Sequence, residues 1–220
     1  MGISFLEKEK LFQLNTPNTT YVIGIVGSEG FLGHAYYGEK LADVRGADAL
    51  MRIYENPFTP DTNARDRLSF LDCFPMEYSP NGVGDFRESS IRVKTKSGHS
   101  AVLLTYVSHE IYRGKDKPEG LPATFGTEDE VTTLAITCED KVIGLKAILR
   151  YSVFEKVDAI ARSVEIINDS AESIVLNKVM SACLDMDNRD FDTITLHGSW
   201  ARERHMERKA LGHGKHGVSS

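Results

Sequence analysis

The side chains best suited to chemistry lie near the end of the 220-residue chain, in the stretch LHGSWARERHMERKAL at positions 196–211. This stretch holds the only tryptophan, Trp200, beside closely spaced arginines and glutamates. The apolar C–H face of a hexose stacks on an indole ring, and charged side chains form strong hydrogen bonds with sugar hydroxyl groups. The residue types therefore indicate a candidate sugar-binding platform.

Two further questions about this stretch stay open. Trp200 can instead be a core residue at the end of a strand, with the charges forming ion pairs around it. In a helix, Glu203 and Glu207 would be a like-charge pair four residues apart, which destabilises a helix. The pattern therefore favours a strand, in which alternate side chains share a face. One face would carry Trp200, Arg202, Arg204, Met206 and Arg208, and the other Ala201, Glu203, His205 and Glu207.

Other clusters argue against a bound metal or cofactor. His205, His213 and His216 have no cysteine nearby, whereas structural zinc sites usually combine both residue types at tighter spacing. The stretch GIVGSEGFLG at 24–33 lacks the glycine pattern of a phosphate-binding loop and favours a tight turn. Carboxylates are abundant, but glycosidase chemistry depends on a spatial separation that the sequence does not reveal. We therefore predict no metal and no cofactor.

The composition argues against nucleic acid and membranes as partners. The formal net charge is −6 and the sequence pI is about 5.7, so the chain lacks an excess of basic residues. The first residues lack the apolar run of a signal peptide, and no segment approaches ~18 consecutive apolar residues. Cys73, Cys138 and Cys183 show no C-x-x-C spacing, which is typical of reduced thiols. We therefore expect a cytoplasmic protein.

Most of the chain shows the period-two alternation of β-strands. In GLKAILRYSVF at 144–154, apolar side chains alternate with largely polar ones. Similar runs, separated by short polar turns such as Glu139-Asp140 and Ser97-Gly98, predict at least nine strands. Helical periodicity is nearly absent. The pattern predicts an all-β fold, either a large antiparallel β-sandwich or a barrel.

Two irregular segments interrupt this pattern. Residues 46–80 contain four of the seven prolines. Long loops of this kind are often functional or form interfaces, although a crossover between two sheets is an equal alternative. Residues 114–130 end in the acidic run Glu128-Asp129-Glu130, which predicts a solvated loop.

Several blocks resemble the N-terminal region of the bacterial α-galactosidases of glycoside hydrolase family 36. The most specific are EY-x5-GDFR from Glu77, GLPATF from Gly120 and GSW-x-RER from Gly198. The resemblance covers essentially the whole chain. It implies a supersandwich-like β domain that precedes a catalytic (β/α)8 barrel. It also implies retaining enzymes that remove terminal α-1,6-linked galactose from melibiose and raffinose-type sugars, many of them homotetramers.

The departures from the family's pattern are as informative as the match. The family's barrel carries its nucleophile in a Lys-Trp-Asp motif and binds sugar through Asp-Asp-Gly-Trp. Trp200 follows Ser199 and precedes Ala201, so neither motif is present. The resemblance therefore implies that residues 1–220 are one β-sandwich domain, incomplete at its C-terminal end, without the barrel. It also implies no catalytic residue in this chain.

The resemblance carries two substrate-binding residues over to this sequence. Trp200 matches the tryptophan of the family's GSW-like motif, which lies near the galactose pocket. Tyr54 is the positional match to an aspartate of the proline-rich loop, and Glu55 is the nearest carboxylate and the rival assignment. The expected ligand is a galactoside, and the expected partner is a second copy of the chain in a homo-oligomer.

The leading hypothesis is the non-catalytic N-terminal domain of an α-galactosidase, which contributes substrate contacts and oligomer assembly. The alternative is a stand-alone carbohydrate-binding or assembly module without enzymatic activity. The reading frame beyond Ser220 discriminates between them, because barrel motifs downstream would support the enzyme.

Overall fold

The structure is a computed structural model that describes residues 2–27, 29–50, 74–82, 85, 87–186 and 190–218. The chain divides into two compact units, Met1–Asp185 (unit 1) and Met186–Ser220 (unit 2). The described residues form twelve β-strands and one short 3-10 helix, Ala47–Leu50. All strand pairings found among them are antiparallel. The prediction of an all-β antiparallel fold is therefore confirmed.

Unit 1 is built from two four-stranded meanders and a two-stranded sheet. The first meander contains β1 (Ile3–Leu6), β2 (Leu11–Asn15), β3 (Thr19–Val26) and β4 (Phe31–Glu39). The second contains β6 (Thr105–Arg113), β7 (Val131–Asp140), β8 (Leu145–Phe154) and β9 (Ala159–Asn168). The small sheet pairs β5 (Ile91–Thr95) with β10 (Ile174–Val179).

The two meanders pack face to face, because each has one apolar face. In β8 the alternation predicted from the sequence buries Leu145 and Leu149 and leaves Lys146 partly exposed, and near the end of the strand Ser152 is buried as well. Aromatic contacts cross between the sheets. The ring of Phe12 in β2 lies 4.8 Å from the ring of His109 in β6. The large core of the sandwich therefore lies between the two meanders.

A second, smaller core covers the outer face of the first meander. Val22 and Phe31 of β3 and β4 are fully buried there. They pack with side chains from the segments on either side of residues 51–73, including Val44, Phe74 and Met76. Both faces of β3 are covered. Residues 21–26 of this strand are therefore all apolar and do not alternate with polar residues.

The turn between β7 and β8 differs from the sequence prediction. Glu139 and Asp140 belong to β7, and the turn comprises residues 141–144. The Asp140 carboxylate accepts hydrogen bonds from the backbone N–H groups of Val142 and Ile143. Gly144 adopts a φ of +65°, which glycine tolerates without steric cost. The turn therefore lies later than predicted because Asp140 uses its side chain to stabilise it.

The two irregular segments are partly described. Residues 51–73 lie outside the described part of the chain, and Phe74 and Met76, which follow them, are buried in the smaller core. Met76 forms an isolated antiparallel bridge with Gly33 of β4. The acidic run at 128–130 is exposed, as predicted for a solvated loop.

Candidate functional site

Trp200 lies in the turn of a hairpin that makes up most of unit 2. The hairpin pairs β11 (Asp192–Ser199) with β12 (Arg202–Ala210), and Trp200 and Ala201 connect the two strands. This confirms the preference for a strand over a helix. Trp200 is 94% exposed. The alternative of a buried core tryptophan therefore does not hold within this chain.

A β-bulge changes which side chains share a face of the hairpin. Leu196 lies opposite Met206, but Ser199 lies opposite Arg202, so β12 has one more residue than β11 between these pairs. Arg204 in the bulge has a φ of 63°. Directly opposite residues share a face, so Arg202 and Met206 lie on opposite faces. The predicted single face from Trp200 to Arg208 is therefore wrong.

The charged side chains stabilise the hairpin. Glu207 binds His197 of the facing strand, with 2.9 Å between Oε2 and Nε2, and Lys209, with 2.8 Å between Oε1 and Nζ. Hydrogen bonds from Lys209 and His197 lower the pKa of Glu207. Arg208 pairs with Asp192 across the strands. These charges therefore bind one another on the hairpin surface, in keeping with the ion pairs that the sequence suggested.

The indole is available to a ligand in this structure. The ring–ring and cation–π contacts found in the described part of the chain do not involve Trp200. One face of the same hairpin carries three exposed apolar side chains, Ile194, Leu196 and Met206, between 57% and 70% exposed, beside the Arg208–Asp192 ion pair. Unit 2 thus exposes an aromatic ring and three large apolar side chains.

Tyr54 and its rival Glu55 lie outside the described residues, within 51–73. The structure therefore does not bring the two sequence-predicted binding residues together or separate them. Their assignment stays a prediction.

The structure reveals one ionic cluster that sequence reasoning missed. Glu77 is fully buried between the meanders and receives hydrogen bonds from three side chains. The Tyr21 hydroxyl donates to Oε1 at 2.5 Å, and the Tyr151 hydroxyl and Arg162 Nη2 donate to Oε2 at 2.6 and 3.0 Å. The Nδ1 atom of His34 lies 3.5 Å from Oε1. The only sequence signal was one carboxylate within the apolar run CFPMEY at 73–78.

These contacts decide the charge of Glu77. Burial alone would raise its pKa, but the positive charge of Arg162, the His34 imidazole and the Tyr151 hydroxyl together hold it below the ordinary value. Burial and the nearby carboxylate raise the pKa of Tyr21 and Tyr151, so both hydroxyls stay protonated donors. Glu77 is therefore a buried anion with its acceptor positions occupied, a structural group and not an accessible acid.

Two negative findings apply to the described residues only. They contain no group of three or more His, Cys, Asp or Glu side chains placed to hold a metal ion. No helix within the described ranges is both long and apolar enough to cross a bilayer.

Comparisons with known proteins extend the picture to the family level. The profile of the glycosyl hydrolase family 36 N-terminal domain matches residues 30–220. The chain is 37% identical over 212 residues to α-galactosidase AgaA of Geobacillus stearothermophilus, covering 96% of this chain and 29% of that protein. It is also 37% identical over 216 residues to the bifunctional α-galactosidase/sucrose kinase AgaSK of Mediterraneibacter gnavus, covering 97% of this chain and 23% of that protein.

Solved structures show the same relationship in three dimensions. The crystal structure of the α-galactosidase AgaB from Geobacillus stearothermophilus superposes with a TM-score of 0.87 at 35% identity, over 96% of this chain and 29% of that one. An AgaA variant in complex with raffinose superposes with a TM-score of 0.84 at 37% identity, over 92% and 28%. The chain thus spans less than a third of the length of these relatives. On sequence and fold together, the chain belongs to glycosyl hydrolase family 36, within its N-terminal domain.

Proposed function

We propose that this chain is the non-catalytic N-terminal domain of an α-galactosidase and that Trp200 contributes an apolar contact to a bound galactoside. The observation that carries the proposal is the exposed indole at the tip of a hairpin, in a chain that matches α-galactosidases over nearly its whole length. A flat aromatic ring covers the apolar face of a pyranose without needing a charged partner. The raffinose complex of the AgaA variant supports galactosides as the ligand class.

The chemistry of bond cleavage belongs elsewhere in this proposal. A retaining glycosidase uses two carboxyl groups about 5–5.5 Å apart on either side of the scissile bond. Glu77, the most deeply buried glutamate of the described residues, is saturated by hydrogen bonds inside the sandwich and cannot reach a sugar. The chain also contains neither the Lys-Trp-Asp nor the Asp-Asp-Gly-Trp motif. Its role is therefore to position a ligand and not to cleave it.

Assembly is the second part of the proposed function. The hairpin of unit 2 exposes Ile194, Leu196 and Met206 on one face, and an isolated two-stranded hairpin is marginally stable in water. Neighbouring exposed apolar side chains such as these favour contact with another protein surface. We expect a homo-oligomer in which this face is covered.

The first test is an activity assay on the purified 220-residue chain. Hydrolysis of a chromogenic α-galactoside should not exceed the rate in buffer, because the chain lacks a nucleophile and a general acid. Turnover that co-purifies with the chain and disappears on its denaturation would overturn the assignment of catalysis to another region.

The second test uses Trp200 as the only indole. Galactose and melibiose should change its fluorescence only weakly up to millimolar concentrations, since one stacking face does not offset the cost of immobilising a sugar. Glucose, which differs at a single hydroxyl, is the matched control ligand. A galactose-specific change with a micromolar midpoint would instead support the stand-alone carbohydrate-binding module.

A further inference from the structure

The last stretch of unit 1, residues 180–185, is held by side chains that reach it from distant parts of the chain; we call it the exit segment. The Tyr78 hydroxyl donates to the carbonyl oxygen of Met180 at 2.9 Å. Arg162 Nη1 donates to the carbonyl oxygen of Cys183 at 2.9 Å. Arg87 Nη1 donates to the Asp185 carboxylate at 2.7 Å. Three anchors therefore hold the exit segment along its length.

Each arginine anchor is itself fixed by a second set of contacts. Arg162 Nη2 binds both the carbonyl oxygen of Glu77, at 3.2 Å, and its carboxylate, at 3.0 Å. Its guanidinium also lies 4.6 Å from the centre of the Tyr151 ring. The two terminal nitrogens of Arg162 thus bind different partners: Nη2 binds the buried Glu77, and Nη1 binds the exit segment. A planar guanidinium suits this double role, because its donors keep a fixed geometry.

Arg87 repeats this arrangement. Its guanidinium forms two hydrogen bonds of 2.9 Å with the buried Asp85 carboxylate. A third bond, of 2.6 Å, runs to the carbonyl oxygen of Phe74. Glu77, Tyr78, Asp85 and Arg87 all fall within the EY-x5-GDFR block of the sequence. The block therefore supplies two anchors and the carboxylates that hold both arginines.

Apolar burial does little for the exit segment itself. Residues 180–185 form no strand, and Met180 and Leu184 are exposed. One backbone hydrogen bond, from Met180 N to the carbonyl oxygen of Ser90, adds to the side-chain anchors. Polar anchors that are desolvated and charge-assisted are stronger than ordinary surface hydrogen bonds. The course of this segment therefore depends on them.

We propose that Arg162 and Arg87, oriented by Glu77 and Asp85, are positioning residues that hold the exit segment in a single course. This segment directly precedes unit 2, which carries Trp200, in the chain. The proposal deepens the proposed function, because a fixed exit from unit 1 limits the positions from which Trp200 can meet a galactoside. Only this consequence for the sugar rests on the proposed function.

The test is hydrogen exchange, measured by mass spectrometry on overlapping peptides that begin before residue 178 and extend through residue 186, so that they report the Met180 amide, which is hydrogen-bonded to the carbonyl oxygen of Ser90. Arg162→Met should accelerate exchange there at least about tenfold, the effect of losing a charge-assisted hydrogen bond. The matched control is Arg150→Met, because Arg150 is a half-buried arginine of the adjacent strand that pairs with Glu165 at 2.6 Å. The control should leave residues 180–186 unchanged.

Two further variants separate anchoring from general destabilisation. Arg162→Lys keeps the positive charge beside Glu77 but cannot place donors on Glu77 and Cys183 together. It should therefore recover thermal stability relative to Arg162→Met, but it should not restore the slow hydrogen exchange of the wild type. Tyr78→Phe removes one hydroxyl with little change of shape and should accelerate exchange at Met180 in a protein that folds normally. This variant keeps the test decisive if Arg162→Met does not fold.

Three outcomes would overturn the proposal. They are unchanged exchange at residues 180–186 in both Arg162→Met and Tyr78→Phe, equal acceleration in Arg150→Met, and slow exchange restored by Arg162→Lys. None of these measurements involves a sugar. The galactose titration of Trp200 therefore tests the proposed function separately: a micromolar, galactose-specific change would favour the stand-alone module and would leave the exit segment untouched.

Discussion

At the scale of single residues, Glu77 and Trp200 show opposite uses of a side chain. Glu77 is an anion enclosed in an apolar core, which is tolerable because hydroxyl and guanidinium donors surround it. Trp200 is a large apolar ring left almost wholly in water. The first side chain serves the fold, and the second is free to serve a ligand.

The charge on Glu77 predicts a specific dependence of stability on pH. Its pKa is lowered in the folded protein, so its contribution is fully present above the ordinary unfolded value of about 4.3 and is lost as pH falls through the folded pKa. Glu77→Gln leaves Arg162 buried without its anion and should cost about 3–5 kcal/mol at pH 7. The difference in unfolding free energy between the wild type and Glu77→Gln should shrink as pH falls below about 4.3.

Urea unfolding between neutral pH and pH near 3.5 measures this difference. Glu110→Gln, at an exposed glutamate of β6, is the matched control and should track the wild type at every pH. A cost for Glu77→Gln that stays constant with pH would show that the buried carboxyl is already protonated in the folded state.

Trp200 yields the complementary prediction. Because the residue is 94% exposed, Trp200→Ala should change the free energy of unfolding by less than about 0.5 kcal/mol. Arg162→Met, by contrast, should lower it by about 3–5 kcal/mol, since it strands the Glu77 anion. Far-ultraviolet circular dichroism in urea measures both without relying on the indole. A large loss on Trp200→Ala would show that the ring packs against protein in solution.

At the scale of elements, close packing between β4 and its cover decides which residues each strand tolerates. Gly33 of β4 lies directly beneath the fully buried Phe74 ring. A Cβ atom at Gly33 would lie 2.3 Å from Cζ of that ring, far inside any real contact distance. The glycine is therefore required by space, and its backbone is not in the left-handed region.

Gly33→Ala should accordingly destabilise unit 1 by about 1–3 kcal/mol, the usual cost of overpacking a core. Gly212→Ala is the control, because nothing lies within 4 Å of a Cβ atom built there and its φ is not positive. Thermal unfolding of the two variants beside the wild type gives the comparison. Equal melting temperatures for Gly33→Ala and the wild type would mean that Phe74 can move aside.

At the scale of the whole molecule, the distribution of apolar surface indicates association. Unit 2 exposes Ile194, Leu196 and Met206 on one face of its hairpin, and β10 of unit 1 exposes Val175, Leu176 and Val179. Strand β10 pairs only with β5 among the described strands, which leaves its other edge open to pairing. Both features favour contact with another protein surface.

We therefore predict concentration-dependent self-association, measured by light scattering. The double variant Leu196→Gln and Met206→Gln should shift the onset to higher protein concentration, because it removes two of the three exposed apolar side chains on that face of the hairpin. Val142→Gln is the control, since Val142 is an 89% exposed apolar residue in the turn between β7 and β8. A monomer at high concentration, or an equal effect of the control, would contradict the role of the hairpin face.

The sequence by itself determined the all-β class, the strand character of the Trp200 stretch and the solvated acidic run. These features follow from period-two alternation and local charge, which depend on neighbours a few residues apart. The sequence also showed the family resemblance, because the GSW and EY-x5-GDFR blocks are short stretches of consecutive or nearly consecutive residues. The errors were local as well. The turn after β7 lies two residues later than predicted, and one extra residue in β12 places Arg202 and Met206 on opposite faces.

Only the tertiary structure decided which segments meet. Strands β9 and β10 follow each other in the chain, yet they lie in different sheets, and β10 pairs with β5. Glu77, Arg162 and the exit segment likewise come together from distant positions. No local pattern encodes these meetings, because pairing across long loops is selected by the packing free energy of the whole sandwich and not by the propensity of any one strand. For the same reason, the buried anion at the centre of the fold appeared in the sequence only as one glutamate among many.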